Sequence, residues 1–359
     1  MNPARAVAVV LPGDIDDPGA PSGGNRYDRK VCQGLAEAGW SVREHGVAGD
    51  WPRPDDTGAK ALADTLAALP DGERVLVDGL VACGVPEIVA PQARRLRLAV
   101  LVHLPLAEET GLAPDLAAEL AAREGATLRA ASAVVATSGW AGRRLIELHG
   151  LPVDRVRVAA PGVDPAQSAP GTDGTSGLLC VAAVIPRKGH DVLMEALAAV
   201  ADQSWTCVCA GGLDRAPEHT AGVRGRIEAA GLDERVRLAG PLAGAELDAA
   251  YAAADLLILP SRAEPYGMVL TEALARGIPV LATAVDGVPE AVGRAPDGAV
   301  PGMFVPPDDP AALAAALRRW FTEPDLRHRV RTAAAHRRAA LAGWSATVRV
   351  LSEVLEDLR

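Results

Sequence analysis

Aromatic residues are scarce in this chain: six Trp, three Tyr and two Phe make up 3% of 359 residues. A core therefore has to be filled by Ala, Val and Leu. Hydrophobic residues at 49%, with charged residues at 23%, supply enough of them for a globular rather than a disordered protein. Long apolar runs are missing too. The opening stretch MNPARAVAVVLPG holds about seven apolar residues before a Pro-Gly break. That is too short for a signal core or a membrane span, so it is expected to be a buried first strand of a cytoplasmic protein without stable membrane insertion. Dense runs of Lys and Arg are absent and the net charge is −10, which argues against nucleic acid as a partner. The five cysteines (Cys32, Cys83, Cys180, Cys207 and Cys209) are odd in number and lack C-x-x-C spacing. They read as buried free thiols rather than zinc ligands, with Cys207 and Cys209 on one face of a strand.

What is present is a rhythm. Apolar runs of four to seven residues alternate with amphipathic stretches of ten to fifteen: RAVAVVLP, RYDRKVCQGLAEAG, WSVREH, RVLVDG, RLAVLVH and SAVVATS. Continuous apolar strands separated by helices predict parallel sheets covered on both faces, with ligands beyond the carboxyl ends of the strands. At about 150 residues per domain, the length suggests two domains. The rhythm breaks at AQSAPGTDGTSG and then resumes with GLLCVAAV, so a Rossmann-like domain is expected over residues 1–165, a linker over 166–177 and a second over 178–343. Residues 344–359 carry Val350, Leu351, Val354, Leu355 and Leu358 at helical spacing, which predicts a helix docking on an apolar surface, expected to be the first domain. The fold class is α/β, with two sheets expected to face a central cleft.

Three strand-following loops stand out. Ser22-Gly23-Gly24 precedes a helix, where backbone N–H groups are free to approach an anion; a plain connecting turn explains it equally well. Glu44, 20 residues past Gly24, fits a dinucleotide ribose, but the G-x-G-x-x-G fingerprint is absent. Asp14-x-Asp16-Asp17 has metal-like spacing without a nearby histidine, and no metal is expected there. The second loop, Pro186-Arg187-Lys188-Gly189-His190, places two cations where a diphosphate would sit, with Asp191 expected to cap the next helix. The third, AEPYGMVLTEAL, places Glu264 before a glycine-started helix and Glu272 one turn inside it. The N–H groups of Gly267, Met268 and Val269 are then unpaired donors, and the two carboxylates suit sugar hydroxyls. An ordinary i,i+4 pair between Glu272 and Arg276 is the simpler alternative.

The spacing Glu264-x7-Glu272 followed by ARGIPVLATAVDGVPE strongly resembles the retaining nucleotide-sugar glycosyltransferases of family four, which have the GT-B fold. PRKG at 186–189, SGG at 22–24, TSGWAGRRL at 137–145 and RVRVAAPGVD at 155–164 extend the resemblance over nearly the whole chain. It implies that Glu264 contacts the donor sugar, Glu272 the ribose, and Tyr266, Gly267, Met268 and Val269 the sugar and phosphates. Arg187 and Lys188 become the diphosphate clamp, Gly23 and Gly24 a phosphate contact, and Arg237 and Leu238 a strand end near the base. His103 in AVLVHLPLAEE resembles the histidine on the acceptor side of the sugar, although a core histidine is the ordinary reading of such a position. Many relatives carry an additional arginine where this chain has Ala183, so charge neutralisation rests more heavily on Arg187 and Lys188.

The resemblance implies metal-independent transfer of a hexosyl group from a nucleotide-diphosphate sugar to an acceptor hydroxyl, with retention of configuration. The sugar nucleotide would be a co-substrate, and no cofactor is expected. A soluble acceptor of unspecified identity is preferred, because the first helix sets Arg26, Arg29 and Lys30 against Asp28 and Glu37 and offers little to an anionic surface. A nicotinamide-dependent oxidoreductase resting on Gly24 and Glu44, and a nucleotide-sugar epimerase of the same architecture, are the competing readings.

Overall fold

The computed structural model describes residues 5–17 and 22–358. Residues 5–17, 22–162 and 342–358 form one compact unit and residues 163–341 the other.

The first unit is built on a six-stranded sheet: β1 (Ala6–Pro12), β2 (Ser41–Val47), β3 (Arg74–Asp78), β4 (Arg97–Val102), β5 (Ala133–Ala136) and β6 (Val156–Val158). Its order is β2-β1-β3-β4-β5-β6 and every pairing is parallel. The inner strands β1, β3 and β4 are buried along almost their whole length, as expected of apolar strands covered by helices on both faces. The helix Gly23–Glu37 begins where Ser22 Oγ accepts from the Asn25 N–H at 3.0 Å, and it buries Tyr27, Asp28, Val31, Cys32 and Leu35.

The last helix, Trp344–Asp357, packs within this unit through Thr347, Val348, Leu351, Val354 and Leu355, while Val350 is half-buried. Polar contacts fix its register: Trp40 Nε1 donates to Ser352 Oγ at 3.1 Å, Arg74 Nε to the Leu355 carbonyl at 2.8 Å and Thr347 Oγ1 to the Ala160 carbonyl at 2.7 Å. Gly34 permits the close approach, because a Cβ there would lie 2.4 Å from Val348 Cγ2.

The second unit holds β7 (Gly177–Val181), β8 (Thr206–Ala210), β9 (Val236–Gly240), β10 (Leu256–Leu259), β11 (Val280–Thr283) and β12 (Gly302–Val305). They lie in the order β12-β11-β10-β7-β8-β9, again all parallel. The buried core is built of aliphatic and sulfur-bearing side chains, with Tyr251, Trp205 and Trp320 as its aromatic members. All five cysteines are free and buried, with Cys180 opposite Cys209 across the β7–β8 pair. Residues 166–177 lie on this unit: the Gly171 N–H donates to the Ala252 carbonyl at 2.9 Å, and buried Asp255 accepts from the Thr172 and Gly177 N–H groups at 3.1 and 3.0 Å. Among the described residues, no helix is long and apolar enough to cross a membrane.

Gly34→Ala is expected to lower stability by about 1–3 kcal/mol through overpacking. Adding Val348→Ala removes the clashing methyl, so urea melts of both single variants and the double variant should show a favourable coupling of about 1 kcal/mol or more.

Candidate functional site

In an open parallel sheet, the loops on either side of the point where strand order reverses diverge to opposite faces and leave a crevice at the carboxyl edge. In the second unit that point lies between β7 and β10, and the loops concerned are 182–189 and 260–267. These are the two stretches singled out in the sequence, and the structure joins them.

Pro186–Lys188 forms one 3-10 turn, closed by Gly189 in the left-handed region at φ 67°. A Cβ at Gly189 would come within 2.1 Å of the Pro260 carbonyl oxygen, so only glycine lets this turn rest on the end of β10. Lys188 Nζ consequently reaches the Glu264 carboxylate in a hydrogen-bonded ion pair, and Arg187 Nη1 donates to the Ala263 carbonyl at 3.2 Å. Glu264 is 6% exposed and held at three further points. Ser261 Oγ donates to its Oε2 at 3.2 Å, its own N–H donates to Asp286 Oδ2 at 2.7 Å, and its carbonyl accepts from the Gly287 N–H at 3.1 Å. Asp286 does this from φ 47°, a conformation that non-glycine residues adopt rarely and mostly as Asn or Asp.

Asp191 does not cap its helix. The N-cap is Gly189, without a side-chain cap, and Asp191 in the first turn instead receives both arms of Arg262, at 3.0 and 2.8 Å. Arg262 outcompetes the backbone because a bidentate guanidinium–carboxylate pair is the stronger contact. Arg262 also donates to the Pro186 carbonyl and Asp308 Oδ1, both at 2.5 Å, and its N–H meets the Arg187 carbonyl at 2.8 Å. It thereby fastens the clamp loop to the Glu264 loop. Burial works against the Asp191 charge, but the Arg262 hydrogen bonds and charge hold its carboxyl below the usual range.

The helix Met268–Ala275 starts at Gly267, φ 90°, and buries Leu270, Ala273 and Leu274, with Met268 and Val269 half-buried. Glu272 is buried, and its Oε2 accepts from Tyr251 OH at 2.8 Å. The Arg276 guanidinium goes elsewhere, to the Glu272 carbonyl at 3.1 Å and Asp248 Oδ1 at 2.5 Å, so the simple side-chain pair is not formed. Burial, then the charge of Glu290, pushes the Tyr266 hydroxyl up to about 12, and it stays a neutral donor. Arg237 and Leu238 lie on edge strand β9, exposed and half-buried; among the described residues neither hydrogen-bonds to the Lys188–Glu264 group.

In the first unit the strand order reverses between β1 and β3. Ser22, Gly23 and Gly24 open the helix after β1, Asp78 ends β3 and His103 directly follows β4. His103 Nε2 lies 2.9 Å from Asp28 Oδ1 and 3.7 Å from Asp78 Oδ2, while its carbonyl accepts from Thr137 Oγ1 at 3.3 Å. Among the described residues, Asp28, Asp78 and His103 form the group whose ligand atoms are close enough for a metal, within 4.8 Å of one another. The 2.9 Å contact is a hydrogen bond, so a proton fills that gap. Arg29 pairs with Asp16 at 2.7 Å and with Glu44, so the two acidic residues considered for a metal and a ribose both have a cationic partner.

Sequence reasoning missed Arg262, Ser261, Tyr251, Asp286, Asp28 and Asp78. A signal existed for two of them: Asp28 lies three and four positions from Val31 and Cys32, on the buried stripe of its helix, and Asp78 closes an apolar strand.

The profile of the family described as glycosyl transferases group 1 matches residues 169–337. The chain is 34% identical over 280 residues to a D-inositol 3-phosphate glycosyltransferase of Kineococcus radiotolerans, covering 72% of this chain and 63% of that one. It is 37% identical over 223 residues to the protein of that name from Frankia alni, covering 57% and 54%. The chain thus spans between half and two thirds of the length of these curated relatives. Among solved structures, Anabaena HepE in complex with UDP-glucose is similar at a TM-score of 0.76 and 17% identity over 98% of this chain and 100% of that one. Sucrose-phosphate synthase from Thermosynechococcus elongatus gives 0.75 and 21% over 97% and 98%.

Arg262→Gln should speed amide exchange in residues 186–191 and 261–265 at least tenfold, with little change in the global unfolding midpoint. Because the Asp191 carboxyl is held low, its pairing contributes in full above about pH 4 and weakens only as pH falls through the lowered value. The exchange difference between variant and parent should shrink only in that acid range.

Proposed function

Residues 169–337 belong to the glycosyl transferases group 1 family and the fold is GT-B, and from that premise we propose that the protein transfers a hexosyl group from a nucleotide-diphosphate sugar to an acceptor hydroxyl. The observation that carries this reading is the Lys188–Glu264 pair at the switch point of the second sheet, with Arg187 beside it. A cation that answers a leaving diphosphate and a carboxylate that answers sugar hydroxyls already stand in contact, each aimed by buried partners.

Expelling a nucleoside diphosphate builds negative charge on the leaving oxygen. Fixed cations and a helix N-terminus therefore stabilise the transition state more than the ground state. Charge-assisted hydrogen bonds contribute about 1.5–3 kcal/mol each, so Arg187, Lys188 and the Met268 helix start together supply on the order of 4–7 kcal/mol. That corresponds to roughly three to five decades of rate, and positioning of the two substrates accounts for the rest. No step in this scheme needs a metal ion. Gly23, Gly24, Tyr266 and Gly267 to Val269 contribute contacts to donor phosphates and sugar, Glu272 to the ribose, and Arg237 with Leu238 to the base.

Retention through a double displacement would require a carboxylate nucleophile beneath the anomeric carbon. The Glu264 carboxylate is instead engaged by Lys188 and Ser261 as a gripping acceptor, which favours front-face transfer in which the departing phosphate oxygen takes the acceptor's proton. UDP is the first nucleotide to test, given the ligand of HepE, and a hydroxylated ring such as D-inositol 3-phosphate the first acceptor, given the names of the relatives. The protein would act in the cytoplasm on a soluble acceptor.

Thermal shift against UDP-, GDP- and ADP-sugars and NAD is expected to select a sugar nucleotide; stabilisation by NAD alone would reject the reading. With the donor in hand, Glu264→Ala and Lys188→Ala should each lower turnover at least tenfold while circular dichroism stays unchanged, and near-normal rates in both would reject the assignment. Proton NMR of the product should report retained anomeric configuration, undiminished by EDTA.

A further inference from the structure

Two buried carboxylates meet at one imidazole in the first unit. Asp28 is 1% exposed and Asp78 4%, and the His103 side chain keeps 23% of its surface open. Asp78 Oδ1 is occupied by the Leu80 N–H at 2.5 Å, and its carboxylate lies within 4.8 Å of that of Asp28. Two ionised carboxylates this close and this buried repel one another, and a single proton on the pair removes that repulsion. Asp28 Oδ2 is buried without a hydrogen-bond partner, which leaves an acceptor free for a proton on Asp78. Burial, then the charge of Asp28, pushes the Asp78 carboxyl well above the usual range, in keeping with its carrying that proton.

With one proton on the crowded carboxylate pair, the buried group is neutral only when His103 is cationic. A neutral imidazole would leave an uncompensated anion out of water, at a cost that a pair avoids. The ring is also fixed in orientation. The Tyr27 ring meets it edge-on at 5.2 Å between centroids, Tyr27 OH is anchored on the Ala159 carbonyl at 2.7 Å, and a Cβ at Gly24 would lie 3.4 Å from His103 Cδ2. Among the described residues, Tyr27 and Asp28 from the Gly23–Glu37 helix and Asp78 from β3 are the titratable side chains that meet the ring; of the cations on that helix, Arg26, Arg29 and Lys30, Arg29 is paired with Asp16 and Glu44.

We propose that Asp28 and Asp78 are positioning residues that share one proton and hold His103, through Nε2, as an imidazolium at neutral pH beside the Gly23–Gly24 turn. In this state His103 serves as a fixed positive charge and hydrogen-bond donor and takes no proton from an acceptor. Burial opposes the imidazolium, but the charge and hydrogen bond of Asp28, helped by Asp78, carry His103 up to about 9. Its raised value means that the cation is kept below that pH and lost as pH rises through it. The catalytic consequence rests on the transfer reaction proposed above, whereas the charge state does not.

The test is a nitrogen–proton NMR titration of the ligand-free full chain, with the His103 resonances assigned by their loss in His103→Gln. The expected midpoint is near 9, and Asp28→Asn should lower it at least tenfold in proton affinity. Asp78→Asn, whose amide stands where the shared proton sits, should keep His103 protonated at pH 8. A parent midpoint at or below the ordinary value of about 6.5 overturns the proposal, as does an Asp78→Asn variant that lowers the midpoint as far as Asp28→Asn. Should Asp28→Asn fail to fold, the parent and Asp78→Asn titrations still decide. If turnover is measurable, kcat should fall on the alkaline side near the NMR midpoint, and in Asp28→Asn that limb should move to lower pH with little change in donor KM. A parent with no transferase activity but a midpoint near 9 would reject the function and leave the charge assignment standing.

Discussion

A charge removed from water must find a partner of opposite sign or give up its ionisation, and each unit of this protein meets that constraint at the carboxyl edge of its sheet. In the second unit Glu264 is buried and answered by Lys188, with Ser261, Asp286 and the backbone completing its contacts. In the first, Asp28 is buried and answered by His103, with Asp78 beside them. These groups sit where parallel strands end because the sheet interior admits no polar side chain. The first residues beyond it are the earliest that can be both sheltered and polar.

The consequence is a site held by its neighbours rather than by its own loops. Arg262 illustrates the point: one guanidinium ties Asp191, Asp308 and the Pro186 carbonyl, and so fixes the distance between the turn carrying Lys188 and the turn carrying Glu264. Gly189 has the complementary role, removing the side chain that would keep those turns apart. Preorganisation of this kind makes electrostatic stabilisation effective, since the groups need not reorient when charge develops on a leaving diphosphate.

Much of this was legible in one dimension. Apolar runs such as RLAVLV and DLLILP read as buried strands because parallel sheets covered on both faces demand them, and β4 and β10 lie where those runs are. The loops after β1, β7 and β10 were readable for the same reason, as was the last helix from the spacing of its apolar residues. Asp191 was misread because the local rule for helix caps knows nothing of an arginine 71 positions away. Asp78 and Tyr251 escaped notice because their partners, His103 and Glu272, come from other elements and no local pattern links them.

The sequence by itself determined the class of architecture, the alternation of strand and helix, and the loops and helix start that carry Glu264, Glu272, Arg187, Lys188 and His103. These depend on short-range periodicity and on backbone freedom at glycine, and both are written within a few residues. Tertiary structure alone decided which charges meet. Lys188 reaches Glu264, Arg262 takes Asp191 from its helix end, and Asp28 and Asp78 converge on one imidazole. Pairing follows from strand order, and strand order follows from how the whole sheet buries its surface.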